Sequence, residues 1–273
     1  MSLSYRMVVV SDVHLGTSAS RAEYLLDFLD HVRAETLVLN GDLFDIWKMR
    51  SRRWSWPASK TRLLQRVMAM AADGTRVVYI PGNHDEFFRD YLGVAVGGVE
   101  LVRQWHCTLA DGRRALLLHG DEFDGMVRHS RLLKGLGNIG YELLMGLDRF
   151  NAWWRRRTGR GYWSLARAVK KQVPGARDYI GKFEAAACLH AREQGAEVVI
   201  CGHIHHANLF SRDGVTYANS GDWVEHCTAL VEHSDGRLEL VRWAEESARL
   251  LDAVVAGEAA SAPEGVINRR AAP

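Results

Sequence analysis

The sequence predicts an α/β fold in which parallel-type βα units feed a core made of two sheets. In the first 85 residues, short apolar segments alternate with segments whose apolar residues recur at helical spacing, which gives the order β-α-β-α-β. From about residue 208 onward, short strands with Asp-Gly turns replace this alternation, and such turns are typical of hairpins. We therefore expect the late strands to form a meander that makes the second sheet.

Three strands and two helices are predicted in the first part of the chain. Each strand is an apolar run that ends in a polar loop carrying Asp, Asn or His. In each helix the apolar residues fall on one face, as Leu25, Phe28 and Leu29 do in the first helix. The predicted strands are Arg6–Val10, Thr36–Leu39 and Arg76–Ile80, and the predicted helices are Ala22–Val32 and Thr61–Ala72.

The later elements include the four short strands of the expected meander. The predicted strands are Ala115–Leu118, Glu197–Ile200, Asn208–Phe210, Val215–Ala218, Thr228–Val231 and Leu238–Arg242, and the predicted helices are Ala176–Glu193 and roughly Ala244–Val255. Residues 257–273 are rich in Ala, Gly and Pro, so we expect a disordered tail there. Residues 1–256 are expected to form a single domain that carries one insertion.

The composition is that of an ordinary globular protein. The 273 residues are 47% hydrophobic and 25% charged, and the net charge is only +2. No stretch reaches the roughly 18 apolar residues of a membrane span, and the N-terminus lacks the pattern of a signal peptide. We therefore expect a cytoplasmic protein, or one that lies on the cytoplasmic face of a membrane.

The four cysteines are predicted to be buried free thiols. None of them forms a CxxC pair, and no zinc-finger spacing of Cys and His is present. Free thiols suit a reducing cytoplasm, and unpaired cysteines are among the most buried residue types. The four are Cys107, Cys188, Cys201 and Cys227.

Five short polar segments follow predicted strands and carry side chains that bind metal ions. Because strand ends in an α/β sheet meet at one edge, these segments can form a single site. Carboxylates, one amide and several imidazoles favour Mn, Fe or Zn, and the lack of thiolates argues against a structural zinc site. The glycines in the segments allow tight turns and close approach of the backbone. The segments are Asp12-Val13-His14, Gly41-Asp42, Gly82-Asn83-His84-Asp85, His119-Gly120 and Gly202-His203-Ile204-His205.

Together these motifs resemble the five sequence blocks of the calcineurin-like metallophosphoesterase superfamily. Two of their contexts, Ser11-Asp12-Val13-His14-Leu15 and Gly41-Asp42-Leu43-Phe44-Asp45-Ile46-Trp47, are similar to the bacterial UDP-2,3-diacylglucosamine hydrolase branch, as is His119-Gly120-Asp121. The resemblance runs from about Arg6 to Trp243. It implies an αββα two-sheet sandwich with a helical cap insertion.

The resemblance also implies two divalent metal ions that share Asp42 as a bridging ligand. The ions expected are Mn, with Fe or Zn as alternatives. The implied ligands of one ion are Asp12, His14, Asp42 and His205, and those of the other are Asp42, Asn83, His119 and His203.

His84 and Asp45 have implied roles beside the metal ions. In the superfamily, the histidine at the position of His84 is not a ligand and assists the leaving group or the phosphoryl oxygens. Asp45 is then expected to orient His84 and set its tautomer. Many diacylglucosamine hydrolases have Arg at this position, so the chain departs from that branch at His84.

The segment from Gly125 to Lys182 differs from the rest of the chain in charge. It has 13 Lys and Arg against 3 Asp and Glu, whereas the remainder has 22 against 30. We interpret it as a helical cap at about residues 125–175, whose cations meet anionic headgroups and whose tryptophans lie at a membrane interface. Two alternatives stay open: its leucines pack on the core beneath a solvated basic face, or its aromatic and basic residues bind nucleic acid. No nucleic-acid-binding motif accompanies the segment.

Three functions are compatible with these observations. The first is a phosphohydrolase that cleaves the pyrophosphate of UDP-2,3-diacylglucosamine to UMP and lipid X in lipid A synthesis, at the cytoplasmic face of the inner membrane. The second applies the same two-metal chemistry to another phosphoester or pyrophosphate, in a nucleotide, phospholipid, phosphoprotein or nucleic acid. The third is a non-catalytic binding module, which degenerate metal ligands would mark, although every expected ligand type is present here.

Overall fold

A computed structural model of the chain describes residues 3–51, 54–125 and 176–245. Apart from Gly125, the expected helical cap at about residues 125–175 lies outside the described residues. The expected tail at 257–273 and nearly all of the last predicted helix also lie outside them. Across the three described ranges, no helix has the length and apolar character needed to cross a membrane.

The described residues contain twelve strands, four α-helices and two short 3-10 helices. The strands are β1 (Leu3–Val10), β2 (Val32–Asn40), β3 (Arg76–Ile80), β4 (Ala95–Val96), β5 (Val99–Leu101), β6 (Trp105–Thr108), β7 (Arg114–Leu117), β8 (Val198–Cys201), β9 (Asn208–Arg212), β10 (Val215–Asn219), β11 (Thr228–Glu232) and β12 (Leu238–Arg242). The α-helices are α1 (Ala22–His31), α2 (Ile46–Met49), α3 (Ala58–Ala72) and α4 (Ala176–Glu193), and the 3-10 helices are Glu86–Tyr91 and Asp121–Gly125.

The strands form two sheets whose central strands are parallel. The first sheet has the order β12-β11-β1-β2-β3-β5-β4, in which β1, β2, β3 and β5 run parallel. The second has the order β6-β7-β8-β10-β9, in which β7, β8 and β10 run parallel. Helices α1 and α3 connect parallel neighbours, as a crossover between parallel strands requires. The predicted βα units are therefore confirmed.

The predicted meander of late strands is wrong. Strands β9 and β10 form a hairpin in the second sheet, but β11 and β12 join the first sheet, where Val231 lies opposite Val8 of β1. Every residue of β11 is buried, so this strand needs a neighbour on each side and cover on both faces. A position between β1 and β12 supplies the two neighbours.

Side chains alternate between the two faces of β1, and this alternation separates the layers of the core. Val8 and Val10 belong to a buried cluster that includes residues of α1 and α3. Met7 and Val9 belong to a second cluster, which fills the space between the sheets. A third cluster joins the second sheet to α4 through Phe183. The layers are therefore helix, sheet, sheet and helix, which confirms the αββα sandwich.

The cysteines are free thiols, as predicted. Cys188, Cys201 and Cys227 are buried, whereas Cys107 is only half-buried. Burial raises the pKa of the Cys107 thiol to about 11. This thiol therefore stays protonated at neutral pH and is a poor nucleophile.

Candidate metal centre

The polar segments singled out in the sequence meet at the carboxyl ends of β1, β2, β3, β7 and β8. Backbone hydrogen bonds join neighbouring segments, as where the N–H of His14 donates to the carbonyl of Asp42 at 2.9 Å. The buried amide of Asn40 donates to the carbonyl of Leu118 at 3.1 Å and so links the first sheet to the second. The site is therefore built from both sheets, and the expected placement at strand ends is confirmed.

In the part of the chain that the structure describes, the side chains that could hold a metal ion fall into three groups, and within each group the possible ligand atoms lie within 4.8 Å of one another. Two of the groups match most of the two ligand sets implied by the sequence motifs. The third contains the residues expected to assist the reaction and shares His14 with the first. The groups are Asp12, His14 and His205; Asp42, His119 and His203; and His14, Asp45 and His84.

Asp42 lies between the first two groups. Its Oδ1 atom accepts a hydrogen bond from the backbone N–H of His84 at 2.8 Å, which fixes the carboxylate. Its Oδ2 atom lies 3.5 Å from Nε2 of His119 and 3.8 Å from Nε2 of His14. A carboxylate that faces one histidine of each group could serve as a ligand in both groups.

Asp12 is held in the same manner. It is fully buried, and its Oδ2 atom accepts a hydrogen bond from the backbone N–H of His203 at 3.0 Å. Its Oδ1 atom lies 3.3 Å from Nε2 of His205. In both aspartates, one oxygen anchors a loop from another strand while the other faces an imidazole nitrogen.

His119 and Asn83 present atoms that suit a cation. Nδ1 of His119 lies 2.9 Å from the carbonyl oxygen of Asn40, and a carbonyl only accepts, so Nδ1 carries a proton and Nε2 is the nitrogen left to face the site. Within the described residues, Nε2 of His119 and Oδ1 of Asn83 are buried and make no hydrogen bond. A buried polar atom without a partner costs about 1–3 kcal/mol, and a metal ion that displaced the proton from Nε2 would satisfy both atoms. The donor set therefore fits divalent metal ions.

The electrostatics of the site keep two of its aspartates ionised. Burial raises the pKa of Asp42, but the charge of His119 outweighs burial and holds the pKa below its usual range. Burial lowers the pKa of His119, but the charge of Asp42 raises it well above the ordinary value. The pKa of Asp12 is lowered as well, because interaction with His205 outweighs burial. Asp12 and Asp42 therefore stay ionised at neutral pH, the form in which a carboxylate binds a metal ion.

Several residues of the site adopt a backbone conformation that is rare for side chains other than glycine. Within the described residues, seven non-glycine residues have positive φ, and five of them belong to the predicted metal ligands. Such conformations cost on the order of 1–3 kcal/mol each and are kept where the surrounding structure enforces them, often at functional sites. The five are Asp12 (φ 55°), His14 (50°), Asp42 (52°), His203 (69°) and His205 (51°).

Three glycines let the backbone approach these side chains closely. A Cβ atom on Gly41 would lie 2.0 Å from Nδ1 of His119, and one on Gly82 would lie 2.2 Å from Oδ1 of Asp42. A Cβ atom on Gly202 would lie 2.7 Å from Oδ2 of Asp12. These distances are far shorter than van der Waals contact. The close backbone approach expected from the sequence is confirmed at these positions.

His84 lies at the mouth of the site beside Asp45. Nδ1 of His84 is 3.3 Å from Oδ2 of Asp45, whose Oδ1 accepts a hydrogen bond from the backbone N–H of Lys48. Burial raises the pKa of Asp45, but interaction with the nearby imidazoles of His14 and His84 lowers it below its usual range. The half-exposed indole of Trp47 packs against the His84 ring in a tilted arrangement, with 4.0 Å between centroids and 38° between the ring planes. His84 is therefore fixed in orientation and still reaches solvent.

Two buried aspartates support the site but were given no role from the sequence. Asp85 accepts hydrogen bonds from the backbone N–H groups of Gly82, Asp42 and Phe44 and from the hydroxyl of Tyr79. It thereby ties the loop after β2 to the loop after β3. The feature of the sequence that could have indicated this supporting role is the position of Asp85 at the end of the motif Gly82-Asn83-His84-Asp85.

Asp222 supports the site from the second sheet's side. It accepts hydrogen bonds from the backbone N–H groups of Val224, Glu225 and His226 and contacts the ring of His226. Its Oδ2 atom lies 3.9 Å from Nδ1 of His205. The only signal in the sequence was a segment similar to one near the site in the superfamily, which gave no role to any residue.

The chain is similar in sequence to a family of phosphoesterases and to individual members with a common name. The family model for calcineurin-like phosphoesterase matches residues 5–207. A UDP-2,3-diacylglucosamine hydrolase of Porphyromonas gingivalis is 29% identical over 132 residues, which cover 46% of this chain and 49% of that protein. The protein of the same name from Neisseria meningitidis serogroup B is 26% identical over 229 residues, which cover 78% of this chain and 88% of that protein.

Two solved phosphoesterase structures align with most of the chain at low sequence identity. Yfce, a phosphoesterase from E. coli, is 14% identical, covers 86% of this chain and 98% of its own, and gives a TM-score of 0.41. An archaeal phosphodiesterase is 12% identical, covers 86% of this chain and 98% of its own, and gives a TM-score of 0.42.

Proposed function

Since the chain belongs to the calcineurin-like phosphoesterase family and is thus a metal-dependent hydrolase, we propose that it cleaves the pyrophosphate of UDP-2,3-diacylglucosamine. The products are UMP and the lipid monophosphate. The observation that carries the hydrolytic part is the position of Asp42 between two groups of carboxylate and imidazole ligands. The substrate rests on the relatives' names and on the sequence contexts of the ligands.

Two metal ions, with Mn as the first choice, are assigned to the ligand sets around Asp42. When bound, they supply Lewis-acid stabilisation of phosphoryl oxygens and activation of water. The chain's own contribution is to hold the ligands rigidly, since backbone hydrogen bonds already fix Asp12 and Asp42. The proposed ligands are Asp12, His14, Asp42 and His205 for one ion, and Asp42, Asn83, His119 and His203 for the other.

His84 is proposed as the group that assists departure of the leaving oxygen. Its Nδ1 atom lies 3.3 Å from Oδ2 of Asp45, so the carboxylate favours a proton on Nδ1 and Nε2 is left for the substrate. In this role, Nε2 donates a proton or hydrogen bond to the oxygen on which charge develops. Trp47 packs on one face of the ring and limits its rotation.

The basic, aromatic segment supports a lipid-linked and anionic substrate. Between Gly125 and Lys182, cations outnumber anions by 13 to 3, whereas the metal ligands lie in the acidic remainder. A basic segment can meet the diphosphate or an anionic headgroup, while Trp side chains suit the interface between water and acyl chains. Peripheral contact with the inner membrane from the cytoplasmic side belongs to the same proposal.

The decisive test is hydrolysis of UDP-2,3-diacylglucosamine in detergent by metal-stripped protein reloaded with Mn. We expect release of UMP that depends on Mn and is lost in His14→Ala. A matched control is His31→Ala, because His31 lies on α1 and bonds the backbone of Asp27 rather than the site. Absence of turnover by metal-loaded wild-type protein would reject this substrate.

A second candidate function keeps the same chemistry on a different phosphoester or pyrophosphate. The observation that favours it is His84, which stands where many diacylglucosamine hydrolases have Arg. A panel of nucleotides, phospholipids, phosphopeptides and nucleic acids, assayed with the same Mn-loaded protein, separates the two candidates. Cleavage of one of these compounds, with the diacylglucosamine substrate untouched, would keep the mechanism and replace the substrate.

A further inference from the structure

Asp124 contacts the outer side of His203, one of the proposed metal ligands. Its Oδ1 atom lies 3.0 Å from Nε2 of His203 and accepts a hydrogen bond from the hydroxyl of Tyr179 at 2.7 Å. Asp124 belongs to the 3-10 helix Asp121–Gly125, and Tyr179 belongs to the first turns of α4. The two residues therefore come from opposite sides of residues 126–175 in the sequence and meet at His203.

This contact determines which nitrogen of His203 carries the proton. A carboxylate oxygen only accepts hydrogen bonds, so Nε2 must carry the ring proton and Nδ1 is left with its lone pair. Burial, followed by the hydrogen bond to Asp124, raises the pKa of Tyr179, so its hydroxyl stays protonated and donates. The hydroxyl of Tyr179 thus holds the carboxylate of Asp124, and this carboxylate in turn holds the imidazole ring of His203.

We propose that Asp124 is a positioning residue that holds His203 in the orientation and tautomer in which Nδ1 binds a metal ion. The proposal rests on the metal centre of the proposed function. Partners of this kind commonly orient metal-binding histidines, and their loss costs about 10–100-fold in metal affinity. His119 has the corresponding partner in the carbonyl of Asn40.

The fold fixes the position of Asp124 independently of His203. Asp121 forms an ion pair with Arg89 at 2.7 Å, which ties the 3-10 helix to the segment after β3. The buried ring of Phe123 packs edge-on against Phe183 of α4, with 5.5 Å between centroids. These contacts therefore place Asp124 beside His203, as preorganisation of a metal ligand requires.

The test measures metal binding directly rather than turnover. Mn binding to metal-stripped wild-type protein is compared with Asp124→Ala, Asp124→Asn and Tyr179→Phe by titration against a competing chelator. Asp178→Asn is the matched control, because Asp178 neighbours Tyr179 in sequence but pairs with the exposed ammonium of Lys182. Imidazole ¹⁵N spectra of the metal-free proteins report the tautomer of His203, whose signals are identified by their loss in His203→Gln.

We expect Asp124→Ala to weaken one of the two Mn sites by about 10–100-fold and leave the other unchanged. Asp124→Asn should lose less Mn affinity, because the amide oxygen can still accept a hydrogen bond from Nε2–H of His203. Tyr179→Phe should lower the Mn affinity only a few-fold. The ¹⁵N spectrum should show the Nε2–H tautomer in wild type and a mixture in Asp124→Ala. If Asp124→Ala does not fold, the other two variants decide.

Three results would be negative, and they are distinguishable. Unchanged Mn affinity and an unchanged His203 tautomer in the Asp124 and Tyr179 variants would overturn the role of Asp124 while leaving the metal centre intact. Failure of the wild-type protein to bind Mn at all would instead reject the proposed function on which this inference rests. An equal loss in Asp178→Asn would show that the effect is not specific to His203 and would also overturn the role.

Discussion

Gly41 shows how single residues determine whether the metal ligands fit together. Its φ of +88° is costly for any other residue, and a Cβ atom there would lie 2.0 Å from Nδ1 of His119. Gly74 provides a comparison, because its φ is +97° but a Cβ atom there would have no neighbour within 4 Å. A side chain at either glycine would bear the cost of a positive φ. Only at Gly41 would it also clash with a neighbouring side chain.

We predict that Gly41→Ala destabilises the protein by more than Gly74→Ala. The Gly74 variant should lose about 1–2 kcal/mol, the cost of placing a side chain in the left-handed region. The Gly41 variant should lose more and should also bind less metal, since His119 must move. Urea unfolding and metal content measured on both variants test this. Equal destabilisation, with metal binding retained in Gly41→Ala, would contradict it.

A second prediction concerns His84. His84→Ala should lower kcat by about 10²–10⁴-fold, the range typical of a lost general acid, while metal content stays that of wild type. For substrates with activated leaving groups, such as nitrophenyl esters, kcat should fall less, because their leaving oxygen needs little assistance. His31→Ala should behave as wild type. Equal losses on activated and unactivated substrates would remove His84 from this role.

The sequence motifs singled out the predicted ligands but not the residues that support them. Asp12, Asp42 and His119 lie directly after strands, so strand ends alone bring them to one edge of the fold. Asp124 is 79 positions from His203, and nothing in its local sequence indicates the contact. Supporting residues of this kind depend on tertiary packing, which short motifs do not encode.

At the scale of elements, Asp85 joins two loops that carry ligands. Its carboxylate accepts from the backbone N–H groups of Gly82, Asp42 and Phe44. We predict that Asp85→Ala lowers the free energy of unfolding by about 3 kcal/mol or more, since each buried donor left unpaired costs about 1–3 kcal/mol. Thermal and denaturant unfolding measure this loss.

Two milder variants control for this prediction. Asp85→Asn keeps an acceptor oxygen and should lose less than Asp85→Ala. Tyr79→Phe removes only the hydroxyl that donates to Asp85, so it should cost about 1 kcal/mol. If Asp85→Ala were no more destabilising than Tyr79→Phe, the carboxylate would not be the link between the loops.

Apolar runs in the sequence identified the central strands because both faces of those strands are buried. The same criterion could not detect β4, β5 and β6, which have two to four residues and are partly exposed. Nor could hairpin turns show that β11 pairs with β1, since the paired residues are more than 220 positions apart. Long-range pairing is decided by burial in the assembled core.

At the scale of the whole molecule, the candidate metal centre belongs to neither sheet alone. Asp12 and Asp42 come from the first sheet, and His119, His203 and His205 come from the second. Packing between the sheets therefore sets the distances within each ligand group. An ion bound to ligands from both sheets ties the two layers together and binds the folded state far better than the unfolded chain.

We therefore predict that metal raises the melting temperature of the protein. At a free metal concentration about 100 times Kd, binding contributes about 2.7 kcal/mol, which for a domain of this size corresponds to a rise of roughly 5–10 °C. Differential scanning calorimetry of metal-stripped protein, with and without Mn, measures the rise. Asp42→Ala should abolish most of it, because Asp42 faces histidines of both groups. His31→Ala should retain it, and an undiminished rise in Asp42→Ala would show that the stabilising ion binds elsewhere.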